Sequence, residues 1–237
     1  MCGRYTLHTE KELLARRFEI DPDALGDLAP RYNIAPTSEV LTVRLRERER
    51  EAARMRWGLV PSWAKDPKQL RSMINARVET VAQRPAYRRA FRRRRCLVLA
   101  DGFYEWQQSA LERGPKLPHW ISLADGEPFA FAGLWEVWRP EGAAEDAPPL
   151  LSCVLLTTAA NADVSAIHER MPIILPPERE AAWLDPGLDD DVEALLEVLT
   201  PMPQGCLRAR PVSRRVNSTR NDQPELIEPS DAPNTGF

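Results

Sequence analysis

Apolar residues along this 237-residue chain fall mostly into short runs bounded by Pro, Gly and Asp. The runs Val40 to Leu45, Met55 to Val60, Cys96 to Leu99, His119 to Leu123, Phe129 to Trp138 and Leu150 to Thr157 predict strands of a largely antiparallel sheet system. Helical spacing is clear in two places. Thr9 and Glu12 have capping-box spacing ahead of Leu13, Leu14 and Phe18, which predicts a first short helix starting near Thr9 and leaves Cys2 on an extended lead-in. In DDDVEALLEVL, Val192, Leu195, Leu196 and Leu199 recur behind an acidic first turn that suits the helix dipole, predicting a peripheral helix. Residues 139–149, RPEGAAEDAPP, predict a surface loop. No repeat or internal boundary is evident, so one domain is expected over 1–228, followed by a flexible tail at 229–237.

Composition narrows this picture. A chain of this length with 43% hydrophobic residues can bury about 70% of its unfolded surface, which excludes a disordered or fibrous protein. No run of about 18 apolar residues and no basic segment leading into an apolar stretch is seen, so neither a membrane span nor a secretory signal is expected, and the chain is expected in the cytoplasm. Cysteines at 2, 96, 153 and 206 lack CxxC spacing and only three histidines are present, so a zinc site has poor support and no metal or cofactor is expected. Cys96 and Cys153 lie in apolar runs and read as small buried hydrophobes. The net charge of −3 conceals an uneven distribution: arginine dominates 84–95 and acids dominate 185–197. A local basic face can bind phosphates on an acidic protein, because counterion release depends on the contacted patch. The 22 prolines, several in loops such as NIAPT and WGLVPSW, predict long ordered loops that carry function.

Candidate chemistry begins at Cys2. A methionine followed by a small residue is normally removed, and mature Cys2 would then carry a free α-amine, pKa about 7.7–8.0, beside a thiol of about 8.5. Such a pair suits an aldehyde: the amine forms a Schiff base and the thiol closes a five-membered thiazolidine ring. Taken alone, the position favours a small residue tucked under the fold. Glu105, between Tyr104 and Trp106 in ADGFYEW, is either a carboxyl whose pKa an aromatic setting raises or an exposed residue alternating with inward aromatics. His168 in IHERMP is a general acid or a helix-end hydrogen-bonder. Asn75 and Arg77, alternating about Ala76, point to one face of a strand, for orienting a carbonyl and contacting phosphate or for cross-strand bonding. Trp57 and Trp63 flank Pro61 and suit base stacking, although core packing is the better reading of Trp57. The arginines of 84–95 read equally as a phosphate track and as a solvated helix face.

Taken together, MCGRY at the start, RYNIAPT at 31–37, INARVET at 74–80, ADGFYEW at 100–106, IHERMP at 167–172 and PVSRRVNSTRND at 211–222 resemble the SOS response-associated peptidase (SRAP) family, in the same order and over nearly the whole chain. The resemblance implies a single α+β domain built around a strand-rich, barrel-like antiparallel sheet with peripheral helices. It implies a monomer that binds abasic sites in single-stranded DNA during the SOS response, nucleoid-associated when DNA is damaged, and forms a covalent thiazolidine cross-link through Cys2. Asn75 is implied to position the Cys2 amine, Glu105 to shuttle protons, and His168 to assist opening of the sugar ring. Arg4 and Arg77 are implied as phosphate contacts, with Trp57, Trp63 and the Pro36 loop near the bound strand. Peptidase activity is implied only as self-directed removal of the residue ahead of Cys2, beside a lyase-type activity on the abasic site. Gln107 and Gln108, where a basic residue would be common, and the acidic loop at 141–146 depart from the pattern and put DNA contacts in doubt.

Two readings compete. An N-terminal-nucleophile cysteine amidohydrolase also begins Met-Cys-Gly but leaves the five downstream segments unexplained. A non-covalent single-strand binding module would use the arginines and tryptophans and leave Cys2 inert.

Overall fold

A computed structural model describes residues 2–66, 73–109, 114–144 and 146–230. Its strands are β1 (Arg4–Leu7), β2 (Arg31–Ile34), β3 (Glu39–Arg46), β4 (Glu49–Trp57), β5 (Asn75–Arg77), β6 (Arg95–Ala100), β7 (Gly102–Gln107), β8 (Leu117–Leu123), β9 (Phe129–Trp138), β10 (Leu150–Ala159), β11 (Arg170–Pro172), β12 (Ile174–Leu175) and β13 (Leu207–Pro211). The helices are α1 (Lys11–Phe18), α2 (Val78–Val81), α3 (Arg88–Arg93), α4 (Pro177–Leu184) and α5 (Val192–Val198). None is long and apolar enough to cross a membrane, among the described residues.

The larger sheet closes on itself. β10 pairs with β9 and also with β4, and the path between them runs β4, β3, β6, β9, so five strands form a ring. Most pairings are antiparallel; β10 runs parallel to β4 and β5, which follow one another along its edge. The smaller sheet has the order β13-β8-β7-β1-β2. Tyr5 and Phe103 of this sheet pack edge-on against Trp57 and Phe131 of the ring, with centroids 5.3 to 6.0 Å apart, and these contacts join the two sheets through one core. β6 is buried at every position, as a continuous apolar run in the middle of a sheet must be.

The predicted strands lie within β3, β6, β8, β9 and β10. The run Met55 to Val60 ends earlier than expected, at Trp57, because Gly58 turns the chain at φ 128°. The capping box at Thr9 does not form. The helix begins at Lys11 behind Glu10, and the Thr9 hydroxyl instead donates to the buried Asp101 carboxylate at 3.1 Å. Asp101 also accepts the Thr6 hydroxyl and the amides of His8 and Thr9, so it fastens the end of β1 to the start of β7. The next residue, Gly102, admits no side chain, since a Cβ there would lie 2.3 Å from the Trp120 ring. At the chain end, Pro229 bridges to Val212 and the Ser230 amide donates to Pro211, while the rest of the expected tail, 231–237, lies outside the described residues.

Candidate active site

Strand β1 is clamped between β2 and β7. Cys2 lies ahead of the start of β1, separated from it by Gly3. Its carbonyl accepts the Asn75 side-chain amide at 2.7 Å, and its thiol approaches the Arg4 carbonyl at 3.7 Å. Burial, and then the charge of nearby Glu105, push the thiol well above its usual range, so it stays protonated here. The β1–β7 register pairs Arg4 with Tyr104, the residue before Glu105. Glu105 is 2% exposed; burial raises its carboxyl, and nearby His168 partly offsets the rise.

His168 closes a tight turn in which its amide bonds to the Val164 carbonyl. Its Nδ1 lies 2.9 Å from the Arg170 backbone nitrogen and 3.0 Å from the Arg170 carbonyl oxygen, which fixes the ring against the start of β11. Gln107 ties the turn to β7 by donating to the Ala166 carbonyl at 3.0 Å. The Arg170 guanidinium spans Glu79 at 2.6 and 3.0 Å and the Thr157 carbonyl at 2.8 Å, fixing β11 against β10. Asn75 stands on β5, opposite Leu155 of β10. With its amide committed to Cys2, its Oδ1 is buried with no hydrogen-bond partner among the described residues. Four segments far apart in the chain therefore bring Cys2, Asn75, Glu105 and His168 together.

Beside Asn75 opens a groove of about 380 Å³ lined by Trp63, Asn75, Arg77, Arg84 and Tyr87. Trp63 is 66% exposed, and Arg77 is exposed on the strand face it shares with Asn75. Pro36 is half-buried in a turn where Thr37, at φ 72°, donates its amide to the Trp57 carbonyl. Two expected DNA contacts are placed differently. Trp57 is fully buried, packs on Tyr5 and donates its indole N–H to the Ile74 carbonyl at 3.0 Å; its ring is core and offers no face to a base. Arg4 donates to Asn33 Oδ1 and the Val216 carbonyl at 2.7 Å and to the Asn217 carbonyl at 3.1 Å, acting as a clamp within the protein.

That clamp explains two motif segments, RYNIAPT and PVSRRVNSTRND, most of whose residues sequence reasoning left without a role. Asn33 donates to the carbonyls of Val216, Ser218 and Asn221, and Asp222 accepts the amides of Tyr32 and Asn33 and the Arg31 side chain. The Asn217 side chain accepts the Trp106 indole N–H at 2.8 Å, so the loop after β13 braces β7 next to Glu105. Their only signal in sequence was membership of polar motifs. Among the described residues no group of three or more His, Cys, Asp or Glu could hold a metal ion.

Comparison with known proteins adds family context. Residues 1–219 match the family described as SOS response associated peptidase (SRAP). The abasic site processing protein YoqW of Bacillus subtilis is 41% identical over 232 residues, covering 96% of this chain and 99% of that protein. The abasic site processing protein YedK of Escherichia coli is 31% identical over 237 residues, covering 97% and 100%. A solved protein structure from Bacteroides thetaiotaomicron shares the fold with a TM-score of 0.81 at 22% identity, covering 97% of this chain and all of that one.

Proposed function

The chain belongs to the SOS response associated peptidase (SRAP) family, and we propose that, like relatives named abasic site processing proteins, it processes abasic sites in DNA, capturing them in single strands as a covalent adduct on Cys2. Removal of Met1 hydrolyses one amide, consumes one water and frees the Cys2 α-amine. His168 donates a ring proton to the sugar ring oxygen while the hemiacetal hydroxyl gives one up, so the ring opens to an aldehyde with no net proton change. The amine adds to the aldehyde carbon and the carbinolamine loses water to give an imine. The thiol sulfur then bonds to the imine carbon, and its proton passes by way of Glu105 to the nitrogen, completing a thiazolidine. Asn75 Oδ1 is the acceptor that orients the amine.

The observation that carries this reading is the neighbourhood of Cys2: its carbonyl is held by the Asn75 side chain, whose buried Oδ1 has no hydrogen-bond partner among the described residues, and the buried Glu105 carboxyl, its pKa raised by burial, lies close enough to act on the thiol. Such a carboxyl exchanges protons closer to neutral pH than an ordinary glutamate. Trp63 and Arg77 supply the stacking face and the phosphate contact at the groove.

The test is denaturing-gel electrophoresis of the purified protein, its intact mass showing loss of Met1, with a uracil-containing single strand before and after uracil glycosylase. A shifted band only after glycosylase treatment is expected; its absence from correctly processed protein sinks the reading. Cys2→Ala should abolish the band. Cys2→Ser should cleave the strand without a durable adduct, because the hydroxyl is too weak a second nucleophile to close the ring.

A further inference from the structure

The arginine-rich stretch 84–95 divides into two sets. Arg95 is buried and donates to the carbonyls of Trp183 and Asp185 and to Asp189 at 2.6 to 2.8 Å. Arg94 pairs with Glu136 and lies over the Trp135 ring, and Arg93 is held by Asp189 and Asp190 at 2.8 Å. These side chains fasten α3 to the ring and to the acidic segment before α5. The other set is unspent: Arg84, Arg88 and Arg89 are exposed and form no ion pair or hydrogen bond through their side chains, among the described residues.

The geometry of the second set is continuous with the groove beside Asn75. Arg84 and Tyr87 line that groove, the Arg88 amide bonds to the Arg84 carbonyl at 2.9 Å, and Arg88 and Arg89, next in the chain, line a second surface hollow of about 530 Å³ with Arg92 and Arg93. Arg84 precedes α3, and the hydrogen-bonded turn from Arg84 to Arg88 leads directly into the helix. Arg77 is exposed at the near end of the same path. A protein with net charge −3 thus carries a run of uncompensated guanidinium groups leading away from Cys2, on a helix where Arg93 is spent on anchorage and Arg92 reaches only the exposed Asp190, at 3.9 Å.

From this continuity and charge we infer that the outer face of α3 is a second contact surface for DNA, binding the phosphate backbone that flanks the strand held in the groove. The inference rests on the reading of the site given above and extends its footprint. It is sequence-independent: guanidinium groups on phosphates release counterions and read no base.

The test measures non-covalent binding of an undamaged single strand by fluorescence anisotropy across a salt series, using Arg88→Glu/Arg89→Glu and a charge-matched control, Arg16→Glu/Arg48→Glu, on α1 and the β3–β4 turn. Circular dichroism verifies that both variants are folded. With a strand long enough to leave the groove, the α3 variant should bind about tenfold more weakly at low salt, and the slope of log affinity against log salt should fall by about 0.7 for each phosphate that is no longer bound. With a strand cut short enough to end within the groove, the difference between variant and control should shrink. Equal binding by the two variants, equal loss on both strand lengths, or no strand binding by the unmodified protein overturns the inference. Gel-stable capture is scored separately: its absence alongside a clear α3 effect would overturn the Cys2 chemistry and leave this surface standing.

Discussion

Two buried glutamates stand on opposite footings in this molecule. Glu180 of α4 is 1% exposed, and Glu105 of β7 is 2% exposed. Burial raises the pKa of both. Glu180 is nevertheless fully invested: Arg17 grips both its oxygens at 2.7 and 3.1 Å, and Arg50 stands 3.6 Å away. Among the described residues, no arginine side chain is seen in a hydrogen bond or ion pair with Glu105. The groups that shift it include His168, and its own charge in turn raises the Cys2 thiol. A carboxylate enclosed by guanidinium groups joins α4 to α1 and β4, whereas one left beside a thiol and an imidazole can give and take a proton. Burial alone does not mark a working residue; the identity of the partners does.

Exchanging each carboxyl for an amide separates the two roles. Glu105→Gln keeps the shape and removes the proton carrier, so capture of abasic strands should slow by about 10²-fold or more while the fold is retained; single-turnover cross-linking rates measure this, and a change below twofold would return Glu105 to a structural role. Glu180→Gln should show the reverse pattern. It leaves Arg17 and Arg50 without their counter-charge and should cost about 1.5–3 kcal/mol of stability, read from urea unfolding, with the cross-linking rate of folded protein unchanged. A capture defect in that variant equal to that of Glu105→Gln would erase the contrast.

The smallest effect lies in the pH dependence. A carboxyl whose folded pKa exceeds the unfolded value of about 4.3 holds more protons when folded, so the stability it confers is fully present below that value and is lost as pH rises through the folded pKa. Wild type should therefore lose stability from about pH 4.3 upward by more than Glu105→Gln does, with Glu180 contributing a separate share. Parallel stability curves for wild type and Glu105→Gln would show that burial leaves that carboxyl untouched.

The legibility of this protein from sequence follows the same division between burial and partnership. The runs that became β6, β9 and β10 are apolar because both their faces are covered, and a reader of hydrophobic pattern finds them. The first half of β4 is hidden by its own chemistry. Glu49 to Arg54 look like a charged loop, yet Glu51 pairs across the ladder with Arg44 and Arg46, and the two-residue turn is made by Glu47 and Arg48 at positive φ, without the glycine that would advertise it. Thr9 misled because a hydroxyl three residues before a glutamate can cap a helix or serve a distant acid, and the distant acid, Asp101, prevailed.

At the site, the position of Cys2 suggested its chemistry, yet taken alone it favoured a small residue tucked under the fold. Asn75, Glu105 and His168 each carried a bland alternative until six ordered segments were read together. The bracing by Asn33 and Asp222 was beyond reach, because Asp222 meets the Tyr32 amide across 190 residues of chain.

The excursion between β4 and β5 has a use in engineering. It leaves β10 where the Gly58 amide bonds to the Cys153 carbonyl and returns where the Leu155 amide bonds to the Ile74 carbonyl, and Leu59 and Met73 bond to each other at its neck. Both ends are thus sewn to one strand two residues apart, and the length of chain between them does not set where Asn75 falls. Doubling such a loop costs only about 0.6 kcal/mol in closure entropy. The stretch beyond Ala64, whose carbonyl is held by Trp138, is therefore the place where chain can be added at small cost while Asn75 keeps its position.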